Sequence, residues 1–143
     1  MLDRAVKKSI LINASVSEVW KHITNPDAIR KFLFNAEVRT SWKQGDPIEF
    51  RGNWKGRDYE GKGKIIRIEK NKVLEHTYYS NLSGQPDEPA NYCRVIYTLE
   101  EQENNSILSI TQTDVIAQDE FDQVGGYWQA VLDRIKCNVE AAG

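Results

Sequence analysis

The sequence predicts an α+β domain built on one antiparallel sheet, and three observations carry that prediction. Two short helical segments near the N-terminus are followed by six strand-like segments with no helix between them, which excludes alternating βαβ units. A further strand-like segment precedes the helices, making seven strands in all. The chain then closes with an amphipathic stretch, Asp119 to Glu140, of about six turns at 3.6 residues per turn. Within it Phe121, Val124, Trp128, Val131, Leu132, Ile135 and Val139 recur at steps of three and four, while Asp122, Gln129, Asp133, Lys136 and Glu140 fall on the opposite side. A helix of that length spans roughly 30 Å, so its apolar stripe needs a broad surface, which the strands supply.

Each element has a local reason. Val6 to Ile12 is strand-like, and Ser15 followed by Glu18 is a capping box that starts a helix with Val16, Val19, Trp20 and Ile23 on one side. Asn25-Pro26-Asp27 breaks and restarts it, with Asn25 as cap and Pro26 as first residue of a second helix ending at Phe32. The strands that follow are Ala36–Thr40, Pro47–Asn53, Asp58–Glu69, Lys72–Ser80, Tyr92–Glu101 and Ser106–Val115, with turns at 43–46, 55–56, 70–71 and 102–105. Leu74, His76 and Tyr78, with Val95, Tyr97, Leu99, Leu108, Ile110 and Gln112, alternate onto the surface facing the long helix. Thr77, Tyr79, Ser109 and Thr111 take the opposite, solvent-facing parity. Asn81 to Asn91 is the one long connection, stiffened by Pro86 and Pro89. Asp119 caps the last helix. Gly125-Gly126 inside it costs roughly 1 kcal/mol per residue against alanine, which points to close backbone packing, a kink, or a hinge at a pocket mouth.

Length and charge bound the function. A chain of 143 residues fits a single domain, 1–143, and buries about 68–70% of its unfolded surface without a staple. With 19 basic and 21 acidic residues and a net charge of −2, it has no field for nucleic acid or an anionic membrane, and neither is expected as a partner. No apolar run approaches the roughly 18 residues of a membrane span, and residues 1–12 lack a secretory core, so a cytoplasmic location is expected. Cys93 and Cys137, without CxxC spacing or nearby ligands, read as buried free thiols.

Ile12-x-Ala14-x-x-x-Glu18-Val19-Trp20-x-x-Ile23-Thr24-x-Pro26 resembles the opening motif of the START-like superfamily, also called SRPBCC or birch-pollen-allergen-like, in the subgroup related to activators of a heat-shock-protein ATPase. The resemblance extends through Trp42-x-x-Gly45 and Gly61-x-Gly63 to Trp128-x-x-x-Leu132-x-x-Ile135, nearly the whole chain. It implies a helix-grip fold, a strongly curved seven-stranded antiparallel sheet wrapped around the C-terminal helix with an apolar cavity between them. Phe32 stands where the subgroup usually has tryptophan, and Tyr127 where glycine is common.

Strand parity combined with that picture makes Phe32, Trp42, Trp54, Tyr59, His76, Tyr78, Tyr97, Gln112, Phe121, Val124, Trp128 and Leu132 the candidate ligand-binding residues. Core packing is the competing reading for all of them and the favoured one for Tyr97 and Leu132. His22 reads as a surface residue. His76 with Tyr78 and Gln112 could move a proton only with hydrogen-bond reach and a tuned pKa. No metal-ligand spacing, nucleophile elbow or cofactor motif is present, and Gly61-Lys62-Gly63-Lys64 marks a strand bend rather than a phosphate loop. Lys62, Lys64, Lys70 and Lys72 read as a solvated sheet face and edge. Three functions follow: a binder of an apolar or aromatic small molecule, lipid-like or polyketide-like; an enzyme resembling the superfamily's cyclases and aromatases; or a chaperone-interacting module. The first is preferred, as a monomer or weak homodimer needing no cofactor.

Overall fold

The computed structural model describes residues 5–114 and 118–142, with side chains in the last helix from residue 123 onward. Ten principal elements follow one another: β1 (Val6–Ile12), α1 (Val16–Ile23), α2 (Pro26–Phe32), β2 (Glu37–Thr40), β3 (Pro47–Trp54), β4 (Arg57–Glu69), β5 (Val73–Ser80), β6 (Cys93–Gln102), β7 (Asn105–Gln112) and α3 (Gln118–Ala142). All strand pairs are antiparallel, in the order β1-β7-β6-β5-β4-β3-β2. The sheet is curved, as the resemblance implies, and a bulge at Ile66, where the β4–β5 register shifts, contributes to the bend.

Local chemistry explains the boundaries. Ser15 Oγ accepts from the Glu18 amide at 3.2 Å, but the Glu18 carboxylate pairs with Lys21 at 3.3 Å, so only one half of the capping box forms. Asn25 Oδ1 caps α2, accepting from the amides of Asp27 at 2.9 Å and Ala28 at 3.3 Å. Lys55 and Gly56, both at left-handed φ of 53° and 84°, make the two-residue β3–β4 turn whose geometry matches the right-handed twist of the strands. The last strand ends at Gln112 because Asp114 takes φ 59°; Val115 lies outside the described residues. The final helix begins at Gln118, which places Asp119 inside its first turn rather than at its cap.

The two periodicities produce the core. Val19, Leu108, Ile110, Leu132 and Ile135 are fully buried, and Trp20 and Trp128 nearly so. Three expectations need correction. Ser109 is buried, because it lies between strands β1 and β6 in the sheet, with Ser9 directly opposite and sharing a 2.7 Å hydrogen bond with it. Cys137 is exposed, one turn after the exposed Asp133 on the outer side of α3; both thiols are free, and burial pushes that of half-buried Cys93 up to about 11. His22 is half-buried, its Nδ1 donating to the Glu18 carbonyl at 3.0 Å. The end of α3 is tied to the end of β1: Glu140 accepts from the Asn13 amide at 2.8 Å and from Lys136 at 2.6 Å, and Lys136 also donates to the Leu11 carbonyl at 2.8 Å. Among the described residues no helix is long and apolar enough to cross a membrane.

The glycine pair divides into two cases. A Cβ on Gly125 would meet Lys8 Cε at 3.1 Å, whereas one on Gly126 would meet nothing within 4 Å. Gly126→Ala should therefore raise stability by up to about 1 kcal/mol through helix propensity alone. Chemical denaturation of the variant checks this, and a loss of stability would show that Gly126 is needed for close packing.

Candidate functional site

A cavity of about 900 Å³ lies between the concave face of the sheet and residues 123–130 of α3. Further along the helix Val131, Leu132, Ile135 and Val139 are buried in solid core, so the open space lies beside residues 123–130 and closes beyond them. The inner wall comes from alternating strand positions: Phe50 of β3, Tyr59 of β4, His76 and Tyr78 of β5, Val95 and Tyr97 of β6, and Gln112 of β7. Two glycines make room for two of these rings. A Cβ on Gly52 would stand 2.8 Å from the Tyr59 ring, and one on Gly61 2.5 Å from that of Tyr78.

At the mouth, Phe34, Trp54 and Tyr127 form a triangle with ring centroids 5.3, 5.5 and 5.6 Å apart. Phe34 sits in the left-handed region at φ 53°, a conformation that costs a bulky side chain on the order of 1 kcal/mol. Packing against the other two rings, and the Arg134 guanidinium 4.4 Å above its own, hold it there. Leu82 and Ser83 complete the rim, on a connection clasped by Tyr79 donating to the Gln85 carbonyl at 2.6 Å and Tyr92 donating to Asp87 at 2.6 Å. Asp87 also pairs with Lys62, which holds its carboxyl below the usual carboxylate range.

The interior is polar only at defined atoms. Trp128 Nε1 donates to Gln112 Oε1 at 2.8 Å, which turns the Gln112 amide nitrogen into the group left for a guest. His76 Nδ1 lies 2.8 Å from the Thr77 carbonyl, and burial lowers its pKa from 6.5 to about 4. That carbonyl turns out of the sheet ladder at Gly63, whose missing Cβ would have stood 1.7 Å from it, and the Lys64 amide donates instead to Thr77 Oγ1 at 2.9 Å. Burial likewise pushes the Tyr59, Tyr78, Tyr97 and Tyr127 phenols upward, so all four stay neutral hydroxyls. At neutral pH the His76 imidazole is a hydrogen-bonding group and a weak base. Among the described residues no cluster of three His, Cys, Asp or Glu could hold a metal.

Of the residues selected from sequence, Trp54, Tyr59, His76, Tyr78, Tyr97, Gln112, Val124 and Trp128 come together around this cavity. Phe32 and Leu132 do not line it, being fully buried in the core. Trp42, on the loop after edge strand β2, lines a separate cleft of about 410 Å³ with Trp20, Thr24, Ile68 and Lys70. The Phe121 side chain lies outside the described residues. Phe34, Phe50 and Tyr127 were missed. The departure from the subgroup pattern at Tyr127 was the available signal for one, and parity, shared with the core, the signal for Phe50.

The profile of a family described as Activator of Hsp90 ATPase homolog 1-like protein matches residues 13–140. A comparison with curated proteins returns no match. Among solved structures, ChR145 from Cytophaga hutchinsonii is 30% identical with a TM-score of 0.85, covering 99% of this chain and 98% of that one. The Aha1 dimer from Colwellia psychrerythraea is 18% identical with a TM-score of 0.76, covering 98% and 97%. DynU16, from the dynemicin biosynthetic locus, is 17% identical with a TM-score of 0.79, covering 96% of this chain and 48% of that one. The last two likenesses are of fold alone.

Proposed function

This chain belongs to the family described as Activator of Hsp90 ATPase homolog 1-like protein, within the START-like superfamily, and from that premise we propose that it binds an apolar or aromatic small molecule between the sheet and the first half of α3. The observation that carries the reading is the cavity itself, about 900 Å³ with eight Phe, Tyr and Trp side chains in its wall. That volume is the size of a site for a drug-sized ligand, and aromatic walls with a few placed polar atoms are its usual lining. DynU16, which shares the fold, comes from the dynemicin biosynthetic locus, and the guest proposed for this chain is lipid-like or polyketide-like. The reading takes the protein to be a cytoplasmic monomer or weak homodimer; the Colwellia Aha1 relative is a dimer.

The test is native mass spectrometry of the purified protein, followed by thermal denaturation with a panel of fused-ring aromatics and acyl chains. A compound that binds only the folded state should add about 2.7 kcal/mol at 100 times its dissociation constant. Saturable quenching of tryptophan emission should accompany it, since Trp54 and Trp128 line the cavity. A broad panel with neither effect would remove the reading and leave the family's Hsp90-directed description as the alternative to pursue, by looking for a saturable complex with Hsp90.

A further inference from the structure

Among the described residues the cavity presents, at His76, a ring-nitrogen acceptor with no protein partner. The Thr77 carbonyl can only accept, so the 2.8 Å contact with His76 Nδ1 requires that nitrogen to carry the proton. In a neutral imidazole the other nitrogen is then a bare lone pair. Nδ1 is tied back to the backbone of β5, so Nε2, the distal atom of the ring, is directed away from the sheet. The ring cannot turn freely, because Phe50 and Tyr97 flank it with centroids at 5.5 and 6.5 Å. His76 is only 4% exposed, and among the described residues nothing hydrogen-bonds its Nε2. Nε2 opens onto the cavity, so a guest that fills it either donates to this nitrogen or leaves a desolvated acceptor unmatched, which is costly.

The remaining lining defines what such a donor can be. Among the described residues no aspartate, glutamate or arginine lines the cavity, and the lysine that does, Lys55, lies at the exposed β3–β4 turn with Nζ 5.5 Å from the Trp54 ring. An ionised guest would thus be desolvated without a counter-charge, while a neutral hydroxyl would not. The faces of Phe50, Tyr97 and Trp128 suit flat rings, which stack without ordering many rotors.

We propose that His76 is the specificity-determining anchor of this cavity, accepting through Nε2 a hydrogen bond from the hydroxyl of an uncharged, fused-ring aromatic ligand. This rests on the reading of the cavity as a small-molecule site. Gly63 and the Thr77 carbonyl act as positioning groups, holding the tautomer that keeps Nε2 open.

The test compares hydroxypyrene with methoxypyrene, the same ring system with and without the donor, by fluorescence titration of the full chain at neutral pH. Hydroxypyrene should bind about tenfold tighter, the size of one hydrogen bond to a buried acceptor. His76→Phe should abolish that preference while methoxypyrene still binds. Nitrogen NMR of the isotopically labelled wild-type protein supplies a readout that needs no variant: the His76 Nε2 resonance should shift with hydroxypyrene and stay in place with methoxypyrene. Equal affinities in the wild type, or an unmoved Nε2 resonance, would overturn the anchor and leave the cavity reading standing. Oleate binding tighter than both pyrenes would overturn the uncharged ligand class. Binding of none of the three would overturn the proposal together with the reading beneath it.

Discussion

Lowering the pH from 6.5 to about 4 should remove about 3 kcal/mol of folding stability through His76 alone. In the unfolded chain the imidazole takes up its proton near 6.5; in the folded protein burial postpones this to about 4, against a smaller opposing effect of the Thr77 carbonyl. The folded-state pKa is thus the depressed one. The stabilisation is fully present above 6.5 and is lost as the pH falls toward 4. Two carboxyls add loss in the same direction further down. Glu140, hydrogen-bonded by the Asn13 amide and Lys136, and Asp87, by Lys62 and Tyr92, are held below their ordinary values of 4.5 and 3.8. Urea denaturation of wild type and His76→Gln across this range separates the contributions, since the variant should be nearly flat above about 5.5, a unit above the ordinary value of Glu140, where both carboxyls are almost fully ionised in folded and unfolded chains alike. If both proteins show the same slope there, His76 is not a buried neutral imidazole.

Gly63→Ala should cost about 3 kcal/mol or more, and lower the melting temperature by on the order of ten degrees. Its Cβ would lie 1.7 Å from the Thr77 carbonyl oxygen and 2.5 Å from the carbonyl carbon, so the obstruction is backbone and the two strands must separate to admit it. Gly61→Ala is the internal control: the atoms nearest its Cβ belong to the Tyr78 ring, at 2.5 Å, which can rotate into the cavity. That variant should lose less stability and more cavity volume. A Gly63→Ala protein as stable as wild type would mean that the turned Thr77 carbonyl is dispensable, and with it the tautomer of His76. Near-ultraviolet circular dichroism alongside thermal melts would register both consequences.

What the sequence determined by itself was the set of elements and the face each one buries. Burial recurs with period two in a strand and close to 3.6 in a helix, so local spacing suffices for Leu108, Ile110, Trp128, Leu132 and Ile135, all of which are buried. Caps and turns are equally local, and Asn25, Pro26 and Lys55-Gly56 act where their chemistry places them. Where a neighbouring element intervenes, local reasoning loses its hold: Ser109 is flanked by β1 and paired across the strands with Ser9. The cavity is of this second kind. Periodicity assigns Tyr97 and Leu132 alike to the inner side, yet one lines open space and the other is packed solid, because the space between sheet and α3 stays open beside residues 123–130 and closes beyond them. That separation is set by the summed volumes of side chains from β3 to β7, α2 and the helix, which no short window contains. For the same reason Phe32 joined the core, Trp42 a different cleft, and Phe34 the mouth, in a left-handed conformation stabilised by Trp54, Tyr127 and Arg134, residues 20 to 100 positions away in sequence.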